Sequence, residues 1–67
     1  MEVKVTYRIW EVRTEKDLTL RQLEDLSGVS KSMIGYAENN LYDISVTTLC
    51  KLAKALDVKP EELYNYL

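Results

Sequence analysis

Residues 18–40 read LTLRQLEDLSGVSKSMIGYAENN, two short helical patterns on either side of Gly28. Leu20, Leu23 and Leu26 make the apolar face of the first, and Ile34 and Ala37 point inward from the second. Thr19 followed three residues later by Gln22 is a capping box, with hydroxyl and amide each satisfying a backbone N–H of the other residue. Gly28 ends the first helix, because the chain there needs a positive φ that glycine takes cheaply. Ser30 caps the second helix, and Asn39 and Asn40 end it, asparagine being the next-best residue for a left-handed turn. Gly35 inside that helix costs about 1 kcal/mol relative to alanine. Two helices joined so sharply dictate how the rest of the chain must pack.

The chain has 67 residues, too few to bury more than about 60% of the unfolded surface. A single cysteine, Cys50, allows no internal disulfide, and the lack of histidine removes the ordinary zinc clusters. Stability must therefore come from dense helix packing or from a partner chain. No apolar run approaches the roughly 20 residues of a membrane span. The opening MEVKVTYRIW lacks a signal peptide's apolar core, so the expected compartment is the cytoplasm. The net charge of −2 argues mildly against nucleic acid as a partner, although the distribution of charge matters more than its sum.

Elsewhere helical periodicity also dominates. Val5, Ile9 and Val12 share one face, while Val3, Tyr7 and Trp10 form a second stripe. Residues 1–7 also alternate like a strand, but a helix from about residue 5 is favoured. Ser45 caps a further helix with Val46, Leu49, Leu52, Ala53 and Leu56 inward, and Cys50 half-buried on it. Pro60 suits the first turn of a last helix, with Glu61 and Glu62 complementing its dipole and Leu63 and Leu67 closing the core. The expected fold is one all-α domain of five helices, at about 5–16, 20–27, 31–39, 46–56 and 60–66.

A helix pair joined through a glycine-containing turn is the helix-turn-helix signature. The run RTEKDLTLRQLEDLSGVSKSMIGYAENN followed by SVTTLCKLAKALDVKPEELY resembles the Cro/phage-repressor (XRE) family of helix-turn-helix DNA-binding proteins. The resemblance covers roughly residues 9–64. It rests on an arginine before the second helix, G-V-S at the turn, I-x-x-x-E in the third helix and L-x-K-L-A-K-A-L in the fourth. It implies a compact five-helix lambda-repressor-like domain whose third helix enters the DNA major groove. Carried onto this chain, the base-reading positions are Lys31, Ser32 and Tyr36, with Met33 at the edge, where it would touch a thymine methyl. The phosphate-holding positions are Thr19, Arg21, Ser30, Asn39 and Asn40. The family also implies a partly buried ion pair, Arg13 with Glu38, that ties the first helix to the third.

Departures from the family pattern bear on function. Leu20 stands where the family often has glutamine, and Glu24 where it usually has a small residue. The loop after the third helix is usually basic; here it is Asn40-Leu41-Tyr42-Asp43, so phosphate contacts are lost. Leu41, Tyr42, Tyr7 and Trp10 are then candidates for a protein interface, unless Tyr7 and Trp10 pack against Tyr64 and Leu67. No histidine, glycine-rich phosphate loop, paired acid site or cysteine–base pair suggests catalysis, so a non-enzyme without cofactor, metal or small-molecule ligand is expected. The leading reading is a sequence-specific double-stranded DNA-binding regulator, repressor-like, acting as a homodimer on an inverted repeat. The alternative is a protein-interaction module on the same fold.

Overall fold

Val5–Tyr7 forms a β-strand, β1, and not the opening of a helix. The computed structural model describes residues 1–67. After β1 come α1 (Ile9–Glu15), α2 (Leu20–Ser27), α3 (Lys31–Glu38), α4 (Val46–Leu56), a 3₁₀ turn (Pro60–Leu63) and a second strand, β2 (Tyr64–Tyr66). The two strands are antiparallel, with Val5 opposite Tyr66, Thr6 opposite Asn65 and Tyr7 opposite Tyr64. Lys4 and Leu67 exchange backbone bonds of 3.2 and 2.9 Å beyond the ribbon's end, and the Arg8 N–H donates to the Leu63 carbonyl at 2.8 Å.

This corrects the five-helix expectation at both ends. The segment Val5-Thr6-Tyr7 is β-branched and aromatic, which suits a pleated, half-buried surface. The chain's last residues supply the partner strand that a local reading lacks. Pro60 starts a single 3₁₀ turn, capped by Lys59 N–H donating to the Glu62 carboxylate at 2.7 Å, and the chain then extends as Tyr-Asn-Tyr.

Four α-helices and the 3₁₀ turn enclose one core. Its fully buried side chains come from every helical element: Ile9, Leu23, Ile34, Leu52, Leu56 and Leu63. α2 packs on α4 and α3, α1 on α3, and the 3₁₀ turn on α4. The apolar faces of α2 and α4 are narrower than the periodicity implies. Leu26, Val46 and Leu67 were expected inside, but all three lie exposed. Cys50, expected half-buried, is exposed as well. In the eight-residue α2 and the eleven-residue α4 only one or two positions per turn face inward, so Leu26 and Val46 rotate into water, whereas Leu67 lies past β2 and outside any helix.

Candidate nucleic-acid interface

The α2–turn–α3 unit is built from three local devices. At its entry, Gln22 N–H donates to Thr19 Oγ1 at 3.1 Å and Thr19 N–H to Gln22 Oε1 at 2.8 Å, a complete capping box. At the corner, Gly28 sits at φ 76° and donates its N–H to the Glu24 carbonyl at 2.8 Å. A side chain there would meet nothing within 4 Å, so the requirement for glycine is conformational and not steric. Val29, buried, plugs the corner against the core. At the start of α3, Met33 N–H donates to Ser30 Oγ at 3.2 Å. The Glu24 carboxylate also accepts from Lys31 N–H at 3.0 Å. The misfit residue of the sequence thus caps α3 from α2, an anion placed at the positive end of the helix dipole.

With Ile34 and Ala37 wholly buried, the opposite side of α3 is set by helical geometry. Lys31, Ser32 and Tyr36 are exposed on it, and Met33 is half-buried. Of the four candidate base-reading residues, Ser32, Met33 and Tyr36 line one groove, while Lys31 is exposed at the start of the helix and does not line it. The candidate phosphate residues are less alike. Thr19 and Ser30 use their oxygens as helix caps, leaving each hydroxyl hydrogen free to donate. Arg21 is exposed. Asn39 donates one amide hydrogen to the Gly35 carbonyl at 2.9 Å. Asn40, at φ 57°, accepts the Tyr7 N–H on its Oδ1 at 3.2 Å, so its oxygen serves the fold.

Arg13 fixes α3 in place. Its Nε donates to Glu38 Oε2 at 2.7 Å and its Nη2 to Glu38 Oε1 at 2.9 Å, a two-toothed fork. Its Nη1 donates to the Leu18 carbonyl at 2.8 Å, just before α2. One side chain thus joins α1, the entry to α2 and the end of α3. Arg13 and Glu38 side chains are only 10% and 6% exposed. The hydrogen bond from Glu38 raises the guanidinium pKa above its ordinary value; burial opposes this, and charge attraction adds to it. A raised pKa keeps the pair's contribution complete below the unfolded value and removes it only as pH climbs through the folded one. For an arginine that window lies beyond any working pH.

The proposed protein-interface quartet does not form one patch. Tyr7 belongs to the core, and its hydroxyl oxygen accepts the Ile44 N–H at 3.0 Å. It packs opposite Tyr64, as its alternative reading had it. Trp10, half-exposed, lines a shallow polar cleft with Glu11, Arg13, Glu38 and Asn39. Tyr42 lies instead beside α3, and Leu41 is largely exposed. Three roles escaped the sequence: the Glu24 cap, the Asn40 tether and the placement of Tyr42. Only Glu24 carried a signal, a carboxylate seven residues before a helix start across a tight corner.

The model of the helix-turn-helix family HTH_3 matches residues 11–63. The SPbeta prophage-derived uncharacterized HTH-type transcriptional regulator YopS of Bacillus subtilis (strain 168) is 32% identical over 57 residues, 84% of this chain and 77% of that protein. The restriction-modification controller protein C.AhdI from Aeromonas hydrophila superposes with a TM-score of 0.79 at 40% identity, over 82% of this chain and 83% of its own. An HTH_3 family transcriptional regulator from Vibrio cholerae superposes with a TM-score of 0.77 at 30% identity, over 81% of this chain and 30% of its own. With that match over most of its length, on a frame whose corner glycine, caps and α1–α3 tie are all in place, the chain belongs to the XRE-type helix-turn-helix family of DNA-binding transcriptional regulators.

Proposed function

We propose that this chain binds double-stranded DNA sequence-specifically, as a homodimer on an inverted repeat, and represses transcription there. The observation that carries the reading is the bare outer face of α3, where Lys31, Ser32 and Tyr36 stand exposed while α1 and α2 pack behind. Lys31 donates to guanine O6 and N7, and Ser32 to a neighbouring base edge. Arg21, with the hydroxyls of Thr19 and Ser30 and the amide of Asn39, holds backbone phosphates on either side. A two-fold dimer then sets its two α3 helices about 34 Å apart, one turn of DNA.

Selection of bound duplexes from a random pool, followed by titration at several salt concentrations, tests this. The expected site is a pseudo-palindrome occupied by two chains. Arg21→Ala should weaken all duplexes alike and lower the salt slope by about 1, whereas Lys31→Ala should cost about 1–3 kcal/mol and relax preference at one position. Affinity indifferent to salt and to both substitutions would leave the fold with a protein partner instead. Repression is checked with a reporter carrying the selected site, where expression that rises with the regulator would overturn it.

A further inference from the structure

The ribbon of β1 and β2 has two outer edges, and the chain treats them differently. Lys4 and Leu67 exchange both backbone bonds, and Arg8 N–H donates to the Leu63 carbonyl. In an antiparallel ladder bonded and non-bonded pairs alternate, so the amides and carbonyls of Val5 and Tyr7 project from one edge and those of Tyr64 and Tyr66 from the other. On the β1 side the Tyr7 N–H is taken by Asn40 Oδ1 at 3.2 Å, and exposed Lys4 and Arg8 flank the strand. Charged side chains are a usual guard on a strand edge. The β2 side has no such guard. No other part of the chain bonds to the outward groups of Tyr64 and Tyr66. From Leu63 to Leu67 there is neither a charged side chain nor a proline.

This open edge is complementary to itself. Turned about a two-fold axis at Asn65, β2 of a second copy runs antiparallel to β2. Each Tyr64 then faces the copy's Tyr66 in a hydrogen-bonded pair, every outward N–H of the two residues meets a carbonyl, and Asn65 faces its own counterpart. A slip of one residue turns the bonding groups away from each other. A slip of two sets Tyr66 against Glu62, which is folded into the 3₁₀ turn. Tyr64 and Tyr66 share the ribbon face that carries Tyr7 and Val5, and aromatic pairs across strands are among the favourable ones. Apolar surface continues beyond the ribbon on that face, in a groove of about 330 Å³ bordered by Val5, Tyr7, Tyr64, Ile44, Val46 and Pro60. Val46 and Tyr66 stand 76% and 68% exposed. The copy's Tyr66, set beside Tyr64, covers the rim of this groove.

We infer that β2 pairs with β2 of a second copy across a two-fold axis at Asn65, so that one continuous sheet runs through the dimer. The inference rests on the homodimer proposed above and names the surface that forms it. Tyr64 and Tyr66 supply both the backbone bonds and the aromatic contacts of that surface.

Analytical ultracentrifugation of the full chain without DNA tests this. The wild type should form a reversible dimer of twice the 7.8 kDa chain. Tyr66→Pro removes an outward N–H, spares the ladder to β1, and should weaken association about tenfold. Asn65→Lys and Asn65→Asp each set like charges face to face and should each weaken it about fivefold. Mixed in equal amounts, those two variants should associate as tightly as the wild type or better, because opposite charges then meet. They also leave the backbone unchanged, so they carry the test should Tyr66→Pro lose its helical circular dichroism. A chain that stays monomeric at millimolar concentration overturns the inference. A dimer indifferent to all three substitutions, or a mixture no tighter than its components, overturns it too. A dimer that responds as expected but selects no duplex from the random pool removes the DNA-binding reading and leaves the strand pairing standing.

Discussion

Glu24 replaces the small residue that the family resemblance leads one to expect, and its carboxylate reaches α3 to accept from the Lys31 N–H. The same contact that caps the helix puts a negative charge at the edge of the surface proposed to meet DNA. A phosphate nearby is repelled by about 1 kcal/mol at contact distances in water, and by less once salt screens the pair. Glu24→Gln retains an acceptor for the Lys31 amide but discards the charge. We predict that it raises affinity for the selected duplex by about threefold at low salt, with the gain fading towards 0.5 M, at a stability cost of about 0.5 kcal/mol. Titrations at two salt concentrations check this, and an unchanged low-salt affinity would mean that Glu24 does not face the backbone. The sequence marks Glu24 as out of place, but the amide it serves is seven residues away across a corner, and only the corner's geometry brings the two together.

Among the helices, the position of α3 depends on Arg13. Its fork to Glu38 and its bond to the Leu18 carbonyl orient α3 against α1 and against the start of α2. Removing one partner leaves a nearly buried charge without compensation. Glu38→Gln should cost about 3 kcal/mol, or roughly 15 °C in Tm for a domain of this size. Arg13→Lys should cost nearly as much, because an ammonium cannot reproduce the fork and reach Leu18 together. Thermal unfolding by circular dichroism measures both, and losses under 3 °C would show the pair to be dispensable. Helix limits in this half of the chain were legible because the signals are local: Thr19 with Gln22, Gly28 and Ser30 act within four residues of themselves. The opposite holds for β1. Val5, Ile9 and Val12 keep helical spacing while Val3, Val5 and Tyr7 keep strand spacing, and the β-branched, aromatic composition of residues 5–7 only leans towards a strand. The choice falls to Tyr64–Tyr66, almost sixty residues on.

For the molecule as a whole, that ribbon fastens the two chain ends together over the core. Tyr7 supports the loop after α3 through two hydrogen bonds, and Tyr64 lies across from it. Truncation after Leu63 strips β1 of its partner and uncovers Tyr7. The loss should be about 2 kcal/mol or more, lowering Tm by roughly 10 °C or more. Hydrogen exchange should report the Ile44 amide opening first, and a truncated chain that melts within 3 °C of the full one would refute this role. Periodicity, caps and the corner glycine mark two helices joined at a sharp corner and the inward side of α3, because caps and corner act between near neighbours in the chain; the domain type and the role of the outer face of α3 rest on the family resemblance. The strands, the burial of Tyr7, the work of Glu24 and Asn40 and the approach of Tyr42 to α3 were settled by packing. Each depends on two segments distant in sequence meeting at hydrogen-bond range, and that meeting exists only once the core of Ile9, Leu23, Ile34, Leu52, Leu56 and Leu63 has closed.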